Sequence, residues 1–228
     1  TMMQTAATAR RWTKRLAVLA AALLFTSLLV TACDEIQITA EDYTARAGEY
    51  RKKGDLSASR IEAKNALRID PEMQQARCIL GLNYLDLGVW NFAEDMLEKA
   101  YEGKGVLEYV IIPELAEAKL ALGKYDEVLE FARVRNVMTA NLKARILAAR
   151  GRAYSGQEKP DEARKQFNAA LQADAQSFRA YLGLAGLAIV EKEELKSEAL
   201  LAKAVEIAPN DSAVIQFKAR NEYRKKNF

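Results

Sequence analysis

From Asp42 onward small residues return at near-constant intervals. Ala47, Gly81, Ala116, Gly151, Ala185 and Ala219 lie 34 or 35 residues apart. Three further registers advance in step. One runs Gly54, Gly88, Gly123, Glu158 and Lys192, another Ser59, Ala93, Val128, Ala163 and Ser197, and the last Ala66, Ala100, Arg135, Ala170 and Ala204. A fixed period of this length marks stacked supersecondary units. Each unit reads as two antiparallel amphipathic helices, A and B, joined near its middle. The second unit is the fullest. Gly81 and Ala93 are small so that the two helices can cross closely, Tyr84 and Leu97 fill the space around the crossing, and Gly88 supplies the left-handed residue that ends helix A. Pro71 and Pro209 close units after helix B, whereas Pro160 suits the first turn of a helix B, where its missing N–H costs nothing.

This period and the set Leu80-Gly81, Tyr84, Gly88, Ala93, Leu97 and Ala100 resemble the tetratricopeptide repeat (TPR). The resemblance implies an all-α chain wound as a right-handed superhelical solenoid. Five units are expected, at 42–73, 74–107, 108–142, 143–176 and 177–211. Residues 212–228 then read either as a capping helix or as the first helix of a truncated sixth unit. The third unit departs from the pattern, with Pro113 near the start of its helix A and Arg135 at a small-residue register. A first-turn proline, a shortened helix A and a looser junction over Arg135 to Thr139 are expected there.

The segment before the array has a different character. Arg10-Arg11-Trp12-Thr13-Lys14-Arg15 is cationic, and Leu16 to Val30 is an apolar run without charge. Fifteen residues span about 22 Å as a helix, short of the roughly 30 Å hydrocarbon core, which fits a secretory signal better than a membrane span. Val30-Thr31-Ala32-Cys33 resembles the bacterial lipobox, so residues 1–32 read as a lipoprotein signal peptide, Cys33 as its lipidation site and 33–41 as a short linker. An ordinary signal peptide ending at a chance cysteine is the alternative. Asp34 resembles an inner-membrane retention signal and favours the inner over the outer membrane. The expected location is the periplasmic face of the cell envelope.

Charge and chemistry narrow the function further. The chain has 34 Lys and Arg against 31 Asp and Glu, but four of those cations precede Cys33 and no acid does. The remainder carries 30 cations against 31 acids, so nothing in it favours nucleic acid. Histidine is absent, and Cys33 and Cys78 lie too far apart for a zinc knuckle or a CxxC site. No GxSxG, Walker-type loop or HExxH occurs, so no enzyme, cofactor, metal or small-molecule substrate is expected.

What remains is a surface for protein partners. Positions that face inward in the repeat, mainly on helix A, give a wall of Gln75, Leu82, Leu85, Glu117, Leu120, Arg145, Arg152, Arg179 and Leu182, extended by Thr44, Arg51, Cys78 and Ile189. It has an apolar centre at Leu82, Leu85 and Leu120 and a cationic lobe at Arg145, Arg152 and Arg179, suited to an extended or helical segment with an acidic part. The alternative is a solvated arginine face with leucines packed between repeats. Chaperone-binding members of the repeat family use paired Lys and Asn on this wall. Here those positions hold Gly48, Leu82, Glu117, Arg152 and Gly186, so that activity is not expected. Cys78 reads as a small buried hydrophobe.

The segments KGDLSASRIEAKNALRIDP (53–71), ARCILGLNYLDLGVWNFAEDMLEKAYEGKG (76–105) and VIIPELAEAKLALGKYDEVLEF (110–131) resemble the N-terminal part of PEP-CTERM system TPR-repeat lipoproteins. Members of that group are usually far longer and accompany exosortase-type sorting and exopolysaccharide gene sets. The resemblance implies a non-enzymatic envelope scaffold. Two alternatives stay open: a type IV pilus assembly lipoprotein that supports a secretin ring, and an activator subunit of a periplasmic glycan-processing enzyme.

Overall fold

The computed structural model describes residues 38–102 and 108–227. The leader and Cys33 fall outside them. Residues 40–228 group as one compact unit, and of the other, 1–39, only Ile38 and Thr39 are described. Among the described residues there are eleven α-helices and no strand. They are α1 Ala40–Lys52, α2 Leu56–Ile69, α3 Gln74–Asp86, α4 Trp90–Glu102, α5 Glu108–Ala121, α6 Tyr125–Phe131, α7 Ala140–Gly156, α8 Pro160–Ala173, α9 Phe178–Val190, α10 Glu194–Ile207 and α11 Ser212–Asn227. No described helix is long and apolar enough to cross a membrane.

Consecutive helices pack as hairpins, and each odd helix also touches the next odd one. The even helices have no such continuous contact, although Tyr101 on α4 and Phe131 on α6 meet edge to face with ring centroids 6.1 Å apart. The stack therefore bends, with the odd helices forming a continuous inner layer and the even helices splayed outside it.

Local chemistry sets the helix ends. Asp55 Oδ1 accepts the Ala58 N–H at 2.9 Å to start α2, and Thr139 Oγ1 accepts that of Leu142 at 3.3 Å to start α7. Within each hairpin the turn is the same left-handed stop. Gly54, Gly88 and Gly123 have φ of 79°, 69° and 73°, and Glu158 and Lys192 have 58° and 63°. The next residue's N–H reaches back to the last turn in every case, as in Val89 N to Tyr84 O at 2.9 Å and Glu193 N to Ala188 O at 2.8 Å. Side chains with a Cβ are strained at this φ. Glu158→Gly and Lys192→Gly are each expected to stabilise the fold by about 0.5–1 kcal/mol in urea unfolding, while Gly123→Ala destabilises it.

The crossing register is equally uniform. Ser59, Ala93, Val128, Ala163 and Ser197 are all fully buried. At Gly81 an ideal Cβ would lie 2.6 Å from Leu97 Cγ, so only glycine lets α3 and α4 meet there.

The third unit differs from the expectation. Its helix A is not shortened: α5 runs fourteen residues, and Pro113 is its sixth, beyond the first turn. The short element is helix B, since α6 has only seven residues and 132–139 are not helical. Neighbouring elements compensate. Arg150 of α7 donates from Nη1 to the carbonyls of Leu129 (2.7 Å) and Ala132 (3.2 Å), serving acceptors that α6 leaves unpaired as it ends. Met138, 6% exposed, fills the remaining space beside Ile112, Val128 and Ile146.

Candidate functional site

The inner layer places the expected wall residues unequally. Gln75 is exposed at the start of α3, and Leu82 and Leu85 are half-buried against a cluster of Cys78, Leu97, Ile111 and Leu115. Leu120 and Leu182 are both only 8% exposed. They belong to the cores of units three and five, where they contact Val128 and Ile146 or Leu201 and Val214, rather than to an open surface. Cys78 is buried too. Burial, reinforced by the negative charge of Glu114, pushes its thiol up to about 11, so it stays protonated and unreactive at neutral pH.

The arginines are not a free cationic lobe. Arg145 Nη2 meets Glu114 Oε1 at 2.7 Å, and Arg152 Nη1 meets Glu117 Oε2 at 2.5 Å. The other oxygen of Glu117 lies 3.6 Å from Arg179 Nε. One carboxylate on α5 thus faces guanidiniums on α7 and α9, which the inward bend of the odd helices makes possible. Glu114 and Glu117 stand 31 and 35 residues before Arg145 and Arg152, about one repeat. That spacing was the available signal for the pairing.

The first two units carry a comparable inner network. Arg51 Nη1 donates to Asn83 Oδ1 at 2.7 Å and pairs with Asp86 Oδ2 at 2.7 Å. Buried Asn83 passes the chain on to Ser59 Oγ at 2.7 Å, and Ser59 to Ala47 O at 2.8 Å. Buried polar atoms need such partners, and here they also tie α1 and α2 to α3.

A second cluster, unseen in the sequence, lies where α4, α5 and α6 meet. Lys119, 3% exposed, donates from Nζ to Glu94 (2.8 Å), Glu98 (2.8 Å) and Glu127 (2.5 Å), and Lys124 also binds Glu94. The three carboxylates lie within 4.8 Å of one another, as metal ligands would. The lysine ammonium takes the central place, so the cluster is an ion network, buried at Lys119 and Glu94 and half-exposed at Glu98, Glu127 and Lys124, that links three helices.

Residues 154–220 match the family model described as Tetratricopeptide repeat (TPR_19). No curated protein matches the chain. Among solved structures it is similar to YrrB, described as a TPR protein with an unusual peptide-binding site, at 20% identity and TM-score 0.58 over 83% of this chain and 97% of that one. TTC0263, a thermophilic TPR protein of Thermus thermophilus, gives 19% and 0.60 over 79% and 98%. Pseudomonas aeruginosa pilF gives 16% and 0.59 over 82% and 86%. The fold is that of a tetratricopeptide-repeat solenoid.

Proposed function

We propose that this chain is a non-enzymatic scaffold of the bacterial cell envelope. In this reading lipid on Cys33 anchors it at the periplasmic face of the inner membrane, and the inner wall of its array docks protein partners in exopolysaccharide assembly of the PEP-CTERM and exosortase type. The observation that carries the docking role is the continuous odd-helix layer, which offers half-buried Leu82 and Leu85 beside polar groups already held in place. YrrB, with its peptide-binding site on a similar fold, supports a peptide-like ligand. The cationic, apolar and Val30-Thr31-Ala32-Cys33 segments support the anchor, and the three quoted segments support the pathway. The likeness to pilF favours a second reading, in pilus assembly.

Both steps can be tested in cells. Cys33→Ser is expected to accumulate unprocessed precursor without acyl label, and unchanged processing would remove the anchor. A photocrosslinking residue at Leu85 on α3 is expected to capture partners that one at exposed Ile61 on α2 does not. Capture only from Ile61 refutes the inner-wall reading. Polysaccharide-export proteins among the captured partners support the first pathway, and a secretin supports the second.

A further inference from the structure

We propose that the turn between α3 and α4 rests on the membrane. Trp90 and its apolar neighbours enter the headgroup region of a bilayer containing phosphatidylglycerol, and lysines of the α1–α2 turn meet its anionic surface. This rests on the reading of Cys33 as a lipid anchor.

Leu87, Val89, Trp90 and Phe92 fall within six residues and are each 38% to 58% exposed, a concentration found nowhere else among the described residues. Comparison along the repeat shows that the fold does not require them. Val89 stands where the other units have Asp55, Lys124, Lys159 and Glu193, and Phe92 where they have Ala58, Glu127, Glu162 and Lys196. Two of the rings are held at the hairpin tip. That of Trp90 lies 3.7 Å from where a Cβ on Gly88 would stand, and that of Phe92 leans on Tyr84 with centroids 5.4 Å apart. Large apolar side chains gathered at this exposure mark a surface that something covers.

Charge and reach identify the cover. Arg51 pairs with Asp86 at 2.7 Å, which sets the α1–α2 turn beside Leu87, and Arg51, Lys52, Gly54, Leu56 and Asp86 line an open hollow of about 660 Å³ there. Lys52 and Lys53 are exposed and form no ion pair among the described residues. The nearby acids are already engaged, Asp55 by the Ala58 N–H and Asp86 by Arg51. Unmatched lysines next to an apolar tip with an indole suit an anionic bilayer surface. The turns of units four and five instead carry Glu158, Asp161 and Glu162, then Glu191, Glu193 and Glu194, which such a surface repels. Contact therefore falls at the end of the array where the chain enters it. Residues 33–39 reach at most about 25 Å, against about 20 Å for the thirteen residues of α1, so lipid on Cys33 and this turn can enter one leaflet. The acyl chains supply the affinity, and the turn fixes which way the array stands.

The test uses the full chain from a bacterial host, with Trp12→Phe so that Trp90 is its sole tryptophan. It is reconstituted in vesicles of phosphatidylethanolamine, phosphatidylglycerol and brominated phosphatidylcholine, and mass spectrometry reports the acyl group. Trp90 emission is expected to shift to shorter wavelength and to be quenched by the brominated chains. Val89→Glu with Phe92→Glu, which places acids where other units hold them, is expected to abolish both effects, with circular dichroism confirming the fold. Lys52→Gln and Lys53→Gln are each expected to lower the ratio of docked to lifted turn about fivefold, and added salt acts the same way. With Trp90→Phe, Val137→Trp at the opposite edge, between α6 and α7, is expected to stay unquenched. Quenching at Val137→Trp in place of Trp90, or flotation with the vesicles while Trp90 stays unquenched, overturns the turn contact and leaves the anchor standing. Self-association without vesicles that the double variant abolishes overturns it too, since a second copy then covers the patch. Quenching of Trp90 without an acyl group supports the turn contact and removes the anchor, whereas a chain that does not float removes both.

Discussion

Phe167→Ala is expected to destabilise the array by about 3–5 kcal/mol, the usual cost of emptying a fully buried phenylalanine site. Phe167 lies on α8 with no exposure and packs between α7 and α9, joining units four and five. Two glycines make room for it. An ideal Cβ on Gly151 of α7 would sit 2.5 Å from its ring, and one on Gly183 of α9 would collide with the ring as well. Helical glycine normally costs about 1 kcal/mol relative to alanine. Here the sign reverses, and Gly151→Ala and Gly183→Ala are expected to destabilise because the ring has backbone on both sides. Urea unfolding measures the size, and hydrogen exchange should show α7 to α10 losing protection before α1 to α4, since repeats depend on their neighbours. A loss below about 1 kcal/mol in Phe167→Ala would mean that the two units do not depend on this ring.

The same ring shows where the sequence was readable. Gly151 falls in the first small-residue register, and the need for a close approach there followed from spacing alone. Glu158 and Lys192 fall at the left-handed turns by spacing too, although neither residue type announces that conformation. In the third unit Pro113 is a strong local signal that points to the wrong helix. Arg135, at a register that is alanine in every other unit, was the mark of a helix B that stops early. What stabilises that stop, Arg150 reaching the carbonyls of Leu129 and Ala132, comes from another helix, and no local pattern encodes it. The inner wall was legible by position and not by state. The odd helices do form it, but Leu120 and Leu182 are core, and Arg145, Arg152 and Arg179 face acids one or two repeats away. Long-range pairing is set by the superhelical bend, which periodicity implies only in outline.

Lys119→Met is the second change with a large expected effect, about 3–5 kcal/mol at pH 7. Burial by itself would lower the lysine's pKa, but its hydrogen bonds to Glu127, Glu94 and Glu98 overcome that and hold it well above 10.5. Glu94 is the mirror case. Burial would raise its pKa, while hydrogen bonds from Lys119 and Lys124 hold it below 4.5. A depressed carboxyl stabilises the fold above its unfolded value and loses that contribution as pH falls through the folded one. A raised lysine contributes fully below 10.5 and loses this only as pH climbs past its folded value. The network is therefore at full strength from about pH 5 to pH 10. Without Lys119, three carboxylates within 4.8 Å repel one another, and Glu94 keeps only Lys124. Its carboxyl then loses the Lys119 part of what holds it down, so falling pH weakens the parent protein more than the variant. The stability difference should shrink between about pH 7 and pH 4 in urea titrations, and a constant difference would refute the electrostatic origin. Adding Glu94→Leu to Lys119→Met should recover part of the loss, because the uncompensated buried charge goes with it. The position of the network explains its strength. Glu94 and Glu98 stand on α4, Lys119 on α5, and Lys124 and Glu127 at the start of α6, the shortest of the described helices. An ion network there replaces the apolar contact that about two further helical turns would otherwise supply, and it fixes α5, the helix from which Glu114 and Glu117 reach the inner wall.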